Sequence, residues 1–519
     1  MRYLLIFIFL FVLCQKLNSQ STEGSIPMTP IKDLRLRPVK VIVPEKYKGI
    51  ISDNLTVNLP EGYKAQIFYT GGLQKPRFFT WSPDSILHIT DMNSGKILAL
   101  PDFNRDRVAD TAIVVAENVN AHSIEFYNGD IYAALTDRVL RLSDENKDGY
   151  FEKRSVFISD VGGPGSAGGH VTRTIVFDRI NNKIYLSIGS RCNVCKEEKV
   201  VPDREPRRAV IEQYNIDGTG RRIFATGVRN AVGMTLNPLT NQLWANNNGS
   251  DWQGNDIPPE WIDIVRDGGF YGYPIAHSYQ MYFPNYNFNN DYKGLLPITA
   301  FDSSLVRSMK MPASLVQAHS APMGIEFSNN SFDKEFQNGI FVAYRGSWNR
   351  SPATGYKIVF LGLDDFSDTT ANYVADFVSG FLTDSISGSH WARPVGLETD
   401  NKGNLYLGSD AVTTFVMVIY KETTSSTGSN YIKEEPQITV YPIPAKDFIS
   451  INLTNVPDKT DNDVSVAIYD LLGRNLFETQ GSNFVSEMKI DIGNIPIGFY
   501  QMIIRIGNNK INKPIIINK

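Results

Sequence analysis

The chain has 519 residues, 42% hydrophobic and 20% charged, enough for two or more domains with packed cores. Its 51 Lys and Arg against 55 Asp and Glu leave a net charge of −4, which argues against a nucleic-acid or polybasic membrane role. Aromatics reach 11%, with 24 Tyr and 29 Phe, a bias toward β structure and toward surfaces that touch sugars.

Residues 1–19 read as a secretory signal peptide. Arg2 supplies the positive end, Leu4–Leu13 is an apolar run too short to span a bilayer, and Ser19 precedes a cleavage point at Gln20. Leu13 is too bulky to precede a lipidated Cys14. No later segment has the length and apolarity of a membrane helix, so the mature protein is expected to be exported, with no transmembrane segment. Residues 20–56 form a Pro-rich, irregular lead-in.

A hairpin pattern then recurs: an apolar strand, a short polar turn, and a second strand ending in a small or acidic residue. It occupies Arg77–Asp91, His122–Asp137, Arg173–Ser190, Val232–Asn248, Met323–Ser347 and Val395–Asp410, starting roughly 45 to 90 residues apart. Six such repeats predict an all-β fold, a six-bladed β-propeller over 57–421 with insertions gathered in its loops. A Ser/Thr/Gly-rich linker is expected at 422–436 and a small C-terminal Ig-like β-sandwich at 437–519, where Val440–Ile451, Val466–Arg474 and Ile490–Tyr500 carry strand patterns.

Polar residues precede each repeat: Lys75-Pro76-Arg77, Ala121-His122, His170-Val171-Thr172-Arg173, Arg229-Asn230, His319-Ser320 and Ala392-Arg393. Equivalent positions in blades sit at one height around the axis, so these side chains are expected to meet at one mouth of the tunnel. Three of the chain's six histidines fall here. Gly168-Gly169 places His170 at the start of a strand, suited to acid–base work near neutral pH. A ring of Arg, Lys and His suits an anionic, planar ligand, since guanidinium groups grip carboxylates in pairs.

Cys192 and Cys195, close in sequence and in an oxidising compartment, predict a local disulfide; zinc would need further ligands. The run Asp144, Asn146, Asp148, Gly149 and Glu152 has the alternation of a calcium loop, and Asp102, Asn104, Asp106 and Asp110 a weaker version without the Gly. Asn246–Asp251 offers further oxygen ligands. The six tyrosines from Tyr271 to Tyr292 either wall a sugar pocket or pack their loop against the propeller.

Seven motifs in order carry a family resemblance: Gly168–Arg173, Cys192–Cys195, Asn215–Gly220, Ala225–Gly233, Arg266–Pro274, Gly346–Ser351 and Ala392–Leu397. Together they resemble the soluble glucose/L-sorbosone dehydrogenases that use pyrroloquinoline quinone (PQQ), over roughly 57–421. The resemblance implies a six-bladed propeller and a secreted quinoprotein that oxidises a sugar hydroxyl or aldehyde by hydride transfer to PQQ. It implies His170 as catalytic base and Arg229 and Asn230 at the cofactor's reactive carbonyl. It also implies Arg393, Arg350 and Lys357 on the quinone carboxylates, His122 as a polar cofactor contact, and Gly249 and Ser250 supplying carbonyls to Ca2+. No haem motif is present, so the electron acceptor is expected to be a separate carrier. The last segment resembles the type A C-terminal sorting domain of type IX secretion, with Tyr441-Pro442-Ile443-Pro444 where that family usually reads Tyr-Pro-Asn-Pro; this implies handling by the type IX machinery and a secreted or cell-surface location. The alternative is a non-catalytic surface propeller that binds a glycan or a protein.

Overall fold

A computed structural model describes residues 24–163, 168–283 and 290–421, and in the tail 437–441, 445–454, 464–469, 474–481, 487–496, 498–506 and 509–517. The expected signal peptide and linker lie outside the described residues, as do Pro442–Pro444 of the tail motif. Two compact units divide the chain, residues 1–423 and 424–519.

The first unit carries six blades of four antiparallel strands each, the third extended by a short parallel fifth strand, Gly269–Phe270. Their first strands are Pro76–Trp81, Ser123–Tyr127, Ile175–Asp178, Met234–Leu236, Pro322–Phe327 and Ala392–Thr399. These six touch one another in a closed ring around the axis. Each recurring hairpin of the sequence is the first two strands of one blade. Between Tyr127 and Asp130 the turn is Asn128-Gly129, both at positive φ (50° and 85°), the backbone that matches strand twist. Second strands such as Leu87–Asp91, Asp130–Ala134 and Leu243–Asn247 are buried at every residue, because blades pack on both their faces. Between the fourth and fifth blades, for example, Trp244 and Ile262 meet Phe327 and Val342. Each such side chain contributes about 1.5–3 kcal/mol by leaving water.

The repeat's glycines have a packing reason. A Cβ on Gly233 would lie 2.0 Å from the Met323 carbonyl oxygen, one on Gly324 2.6 Å from that of Val395, and one on Gly396 2.2 Å from that of Arg77. Each lets one inner strand press its backbone against the next. The ring closes when Tyr63–Thr70 pairs with Phe415–Lys421 as the outermost strand of the sixth blade.

The lead-in is more ordered than its composition predicts. Arg37–Lys40 pairs with Thr56–Leu59, and Val41, Tyr47 and Ile51 are buried in the core of the fifth and sixth blades. The insertion after Glu260–Ile264 carries a helix, Ala300–Ser308, whose Thr299 Oγ1 accepts from the Asp302 N–H (3.1 Å) while Asp302 Oδ2 accepts from the Thr299 N–H (2.9 Å). The insertion's tyrosines that bond elsewhere do so to protein. Tyr271 donates to the Ile264 carbonyl, Tyr273 to Glu198 and Tyr292 to Ser250 Oγ. The tail has a three-stranded and a four-stranded sheet around Ile449, Ile451, Val466, Ile468, Met502 and Ile504, which fits a β-sandwich.

The far ends of the inner strands line an axial cavity of about 350 Å³. Glu125, Glu326 and Glu398 face it, partly accessible within the narrow channel yet ringed by protein. Burial pushes Glu125 up to about 7, against Arg179 at 3.7 Å. Burial and then Glu125 push Glu326 up, and burial and then Glu326 push Glu398 up. A carboxyl whose folded value is raised holds extra protons in the native state, so stability is full at low pH and falls as pH rises toward the folded values. We expect the melting temperature to drop by several degrees from about pH 5 to about pH 9, and Glu326→Gln to flatten that slope in thermal melts.

Candidate active site

The opposite ends of the inner strands, with the loops that lead into them, enclose a cavity of about 320 Å³. His170, Arg229, Asn230, Gly249, His319 and Arg393 all border it, as do Lys75 and Arg77. Residues at one phase of the repeat therefore converge from five blades.

Gly169 has φ 68°, and a Cβ there would lie 2.1 Å from the Arg191 carbonyl oxygen. That tight turn seats His170 against Ser190. Its Nδ1 lies 2.9 Å from both the carbonyl oxygen and Oγ of Ser190. A carbonyl only accepts, so Nδ1 carries the proton and Nε2 keeps its lone pair. Burial first, then the Arg229 charge, holds the ring down at about 3, neutral at ordinary pH.

The Arg229 guanidinium is held from two sides. Nε donates to the Asn193 carbonyl (3.0 Å), Nη1 to the Asn248 carbonyl (3.2 Å), and Nη2 to Asn193 Oδ1 (3.0 Å) and Asp251 Oδ2 (3.3 Å). Of five N–H donors, four are engaged. The Asn230 backbone N–H donates to Asn247 Oδ1 (3.0 Å), while its own buried Oδ1 has no partner among the described residues. Asp251 Oδ1 accepts from Asn349 Nδ2 (3.0 Å). Glu260, buried beneath, accepts the Gly249 N–H at Oε2 (2.6 Å) and is pushed up to about 8 by burial.

On the facing side, Arg77 and Arg345 share the fully buried Asp410; Arg345 Nε lies 2.8 and 3.1 Å from its two oxygens. Arg393 donates to the Arg345 and Gly346 carbonyls (3.1 and 2.6 Å) and lies over the Tyr356 ring. Lys75 is pushed below its ordinary value by burial and then Arg77, and Arg393 by burial and then Arg345. Cations here outnumber the anions among them, which favours an anionic ligand. At the rim, Trp252 and Trp348 are 50% and 65% exposed and meet edge to face, centroids 5.2 Å apart.

Three expectations are corrected. His122 does not reach the cavity: only 1% exposed, it accepts from Arg77 Nη2 at Nε2 (3.2 Å) and donates from Nδ1 to the Arg173 carbonyl (3.1 Å), because Arg77 lies over it. Arg350 pairs with Asp256 (2.8 Å) and the Asn255 carbonyl, tying two loops outside the cavity. Lys357 begins the third strand of its blade and pairs with Asp376 (2.7 Å) in a separate cavity under the lead-in. Ser250 Oγ accepts a hydrogen bond from the Tyr292 hydroxyl (2.7 Å), a contact that does not involve its backbone carbonyl.

In the expected calcium loop, side-chain oxygens bond the loop's own backbone. Asp144 accepts from the N–H groups of Asp148 and Gly149, Asn146 from Asp148, Asp148 from Tyr150, and Glu152 from Glu145. Asp102, Asn104 and Asp106 behave alike. Among the described residues no group of three or more His, Cys, Asp or Glu is arranged to hold a metal ion. Cys192 and Cys195 are joined in a disulfide. Glu260, Arg345, Asn349 and Trp348 were not singled out from sequence, although Trp348 and Asn349 lie inside the Gly346–Ser351 motif; Asp251 was named only as the end of the Asn246–Asp251 run of oxygen ligands.

The fold and this cavity define a six-bladed propeller with a cationic axial pocket and a neutral histidine at its wall. Residues 57–422 match the TrAA12-like family model, and the chain belongs to that family. Residues 439–518 match the secretion system C-terminal sorting domain, so the chain carries a tail for export to the cell surface or beyond. No helix among the described residues is long and apolar enough to cross a membrane. An "Uncharacterized protein" of Borreliella burgdorferi is 29% identical over 380 residues, 71% of this chain and 92% of its own. A pyrroloquinoline quinone-dependent sugar dehydrogenase of Hypocrea jecorina is 23% identical over 416 residues, 69% and 90% of the two chains. The fold is also that of a calcium structure of the Trichoderma reesei Carbohydrate-Active Enzymes Family AA12, at TM-score 0.58 and 20% identity, covering 70% of this chain and 96% of that one.

Proposed function

We propose that the propeller is a secreted PQQ- and Ca2+-dependent dehydrogenase oxidising a sugar, aldose- or sorbosone-like, at a hydroxyl or aldehyde carbon. The observation that carries this reading is a neutral His170, its Nε2 lone pair available, on the wall of a cation-rich pocket in a chain of this family. The pocket's chemistry fits the cofactor: Lys75, Arg77, Arg345 and Arg393 would take its carboxylates, and the partnerless Oδ1 of Asn230 can accept from it. Calcium would rest on backbone carbonyls at Gly249 and Ser250, beside Asp251. When bound, the quinone supplies a two-electron acceptor for hydride and the metal a Lewis acid.

The chain's own residues do the rest. His170 Nε2 takes the substrate hydroxyl proton, its ring fixed by Ser190 and its imidazolium favoured by the incoming anion. The remaining Nη1 donor of Arg229 stabilises negative charge that develops across from the base. Trp252 and Trp348 offer apolar faces to a pyranose ring at the rim. Electrons then pass to an external acceptor, and the tail engages the type IX secretion machinery.

Reconstitution of the full chain with PQQ and calcium tests this. Dye reduction with aldoses, sorbosone and simple alcohols is expected to require both additions. A chain that binds no PQQ and reduces no dye overturns the reading and leaves a surface propeller for glycan.

A further inference from the structure

The disulfide loop holds two residues of the pocket wall, Arg229 and Asp251, in a way that its sequence does not reveal. Asn193, the first of the two residues between Cys192 and Cys195, bonds Arg229 twice, through its carbonyl and its Oδ1 (both 3.0 Å). The same Oδ1 accepts the Asp251 N–H (2.7 Å), and Asn193 Nδ2 donates to the Asp251 carbonyl (3.1 Å). One residue before, the Cys192 carbonyl accepts from Ser190 Oγ (2.8 Å), the serine that orients His170. The loop is anchored from behind. Val194 is buried against the insertion's Phe270, Ile275 and Tyr292, and the Cys195 N–H donates to Tyr273 OH (2.9 Å). Tyr273 in turn donates to Glu198 (3.0 Å), which also accepts the Arg191 N–H (2.6 Å).

We propose that Asn193 is a positioning residue, and the Cys192–Cys195 disulfide its clasp: together they hold Arg229, Asp251 and, through Ser190, His170 in one geometry. The catalytic meaning rests on the dehydrogenase reading; the positioning itself does not. A guanidinium with both Nε and Nη2 fixed by a single residue has one orientation, and its remaining donor then has one direction. A loop closed by a covalent link two residues across keeps Asn193 in that orientation without help from a ligand. Cys192 is exposed, so a dithiol can reach it. Dithiothreitol gives two electrons and two protons to the S–S bond as it closes its own ring, leaving two thiols on the loop.

The test is phenylglyoxal labelling of arginines in the full chain without cofactor, read by peptide mass spectrometry. Arg229 is expected to label slowly in the native protein. In Asn193→Ala, which keeps the disulfide, it should label at least about tenfold faster, the factor that losing a charge-assisted hydrogen bond implies. The same acceleration is expected after dithiothreitol and in Cys192→Ser/Cys195→Ser. Asn193→Asp keeps the accepting oxygen and should return Arg229 to near-native protection. Labelling of Arg229 at the native rate in Asn193→Ala overturns the proposal. So does an acceleration that Arg77, buried on the first blade, shares equally, because that reports general loosening. With PQQ and calcium added, Asn193→Ala should lose kcat about tenfold or more with a smaller change in KM. A native chain that binds no PQQ would sink the dehydrogenase reading while the labelling result still stands or falls by itself.

Discussion

His170→Ala is expected to lower kcat by two to four orders of magnitude, the usual contribution of a positioned general base, roughly 10²–10⁴. Cofactor affinity should change only a few-fold. The groups placed to hold the quinone's carboxylates are Lys75, Arg77, Arg345 and Arg393, and none of them bonds the His170 side chain. The ring's contacts run the other way, to Ser190, so its removal leaves the cationic wall standing. Titration calorimetry with PQQ and calcium, beside steady-state kinetics, separates the two quantities. A variant with native turnover would remove His170 from the chemistry, and one that no longer binds the cofactor would make it a binding group.

The second large effect concerns stability. Asp410 is fully buried between two arginines, and it is their only carboxylate contact in the structure's described residues. Asp410→Asn leaves two guanidinium groups facing one another without compensation, a change that costs about 3–5 kcal/mol when a buried pair is broken. The melting temperature should fall on the order of 10 °C. Adding Arg77→Met to that variant removes one of the two stranded charges and should recover part of the loss. Because the same arginines border the pocket, PQQ should restore part of it too, by binding the native state alone. Differential scanning calorimetry of the three proteins, with and without cofactor, reads all of this.

The ring of blades was legible because its period is written in residues with a physical task. The hairpins alternate as strands must, and Gly233, Gly324 and Gly396 recur where inner strands press together. His170, Arg229 and Arg393 share a pocket for the same reason: symmetric positions at the start of symmetric strands point to one axis. What stayed hidden depends on partners distant in sequence. His122 stands at the right phase, but Arg77 from the blade before covers it. Arg350 and Lys357 follow a cavity residue, Arg345, closely in sequence; a loop turn and the start of an outer strand carry them to Asp256 and Asp376 instead. Glu260 enters the site through a bond to a glycine backbone, which no side-chain pattern announces. The lead-in's strand pair was invisible because its two halves are short and separated by an irregular stretch.

The closure of the ring also has a bearing on biosynthesis. Residue 63 finds its neighbour only at residue 421, so during nearly all of translation the growing molecule is an open arc with two raw β edges. The segment that addresses the chain for export begins at residue 439, just downstream of the closing strand. A ribosome that stops early therefore makes an arc without the sorting tail. Every copy that carries the sorting tail also carries the piece that completes the circle, so linear gene order alone withholds the tail-dependent step from unfinished arcs.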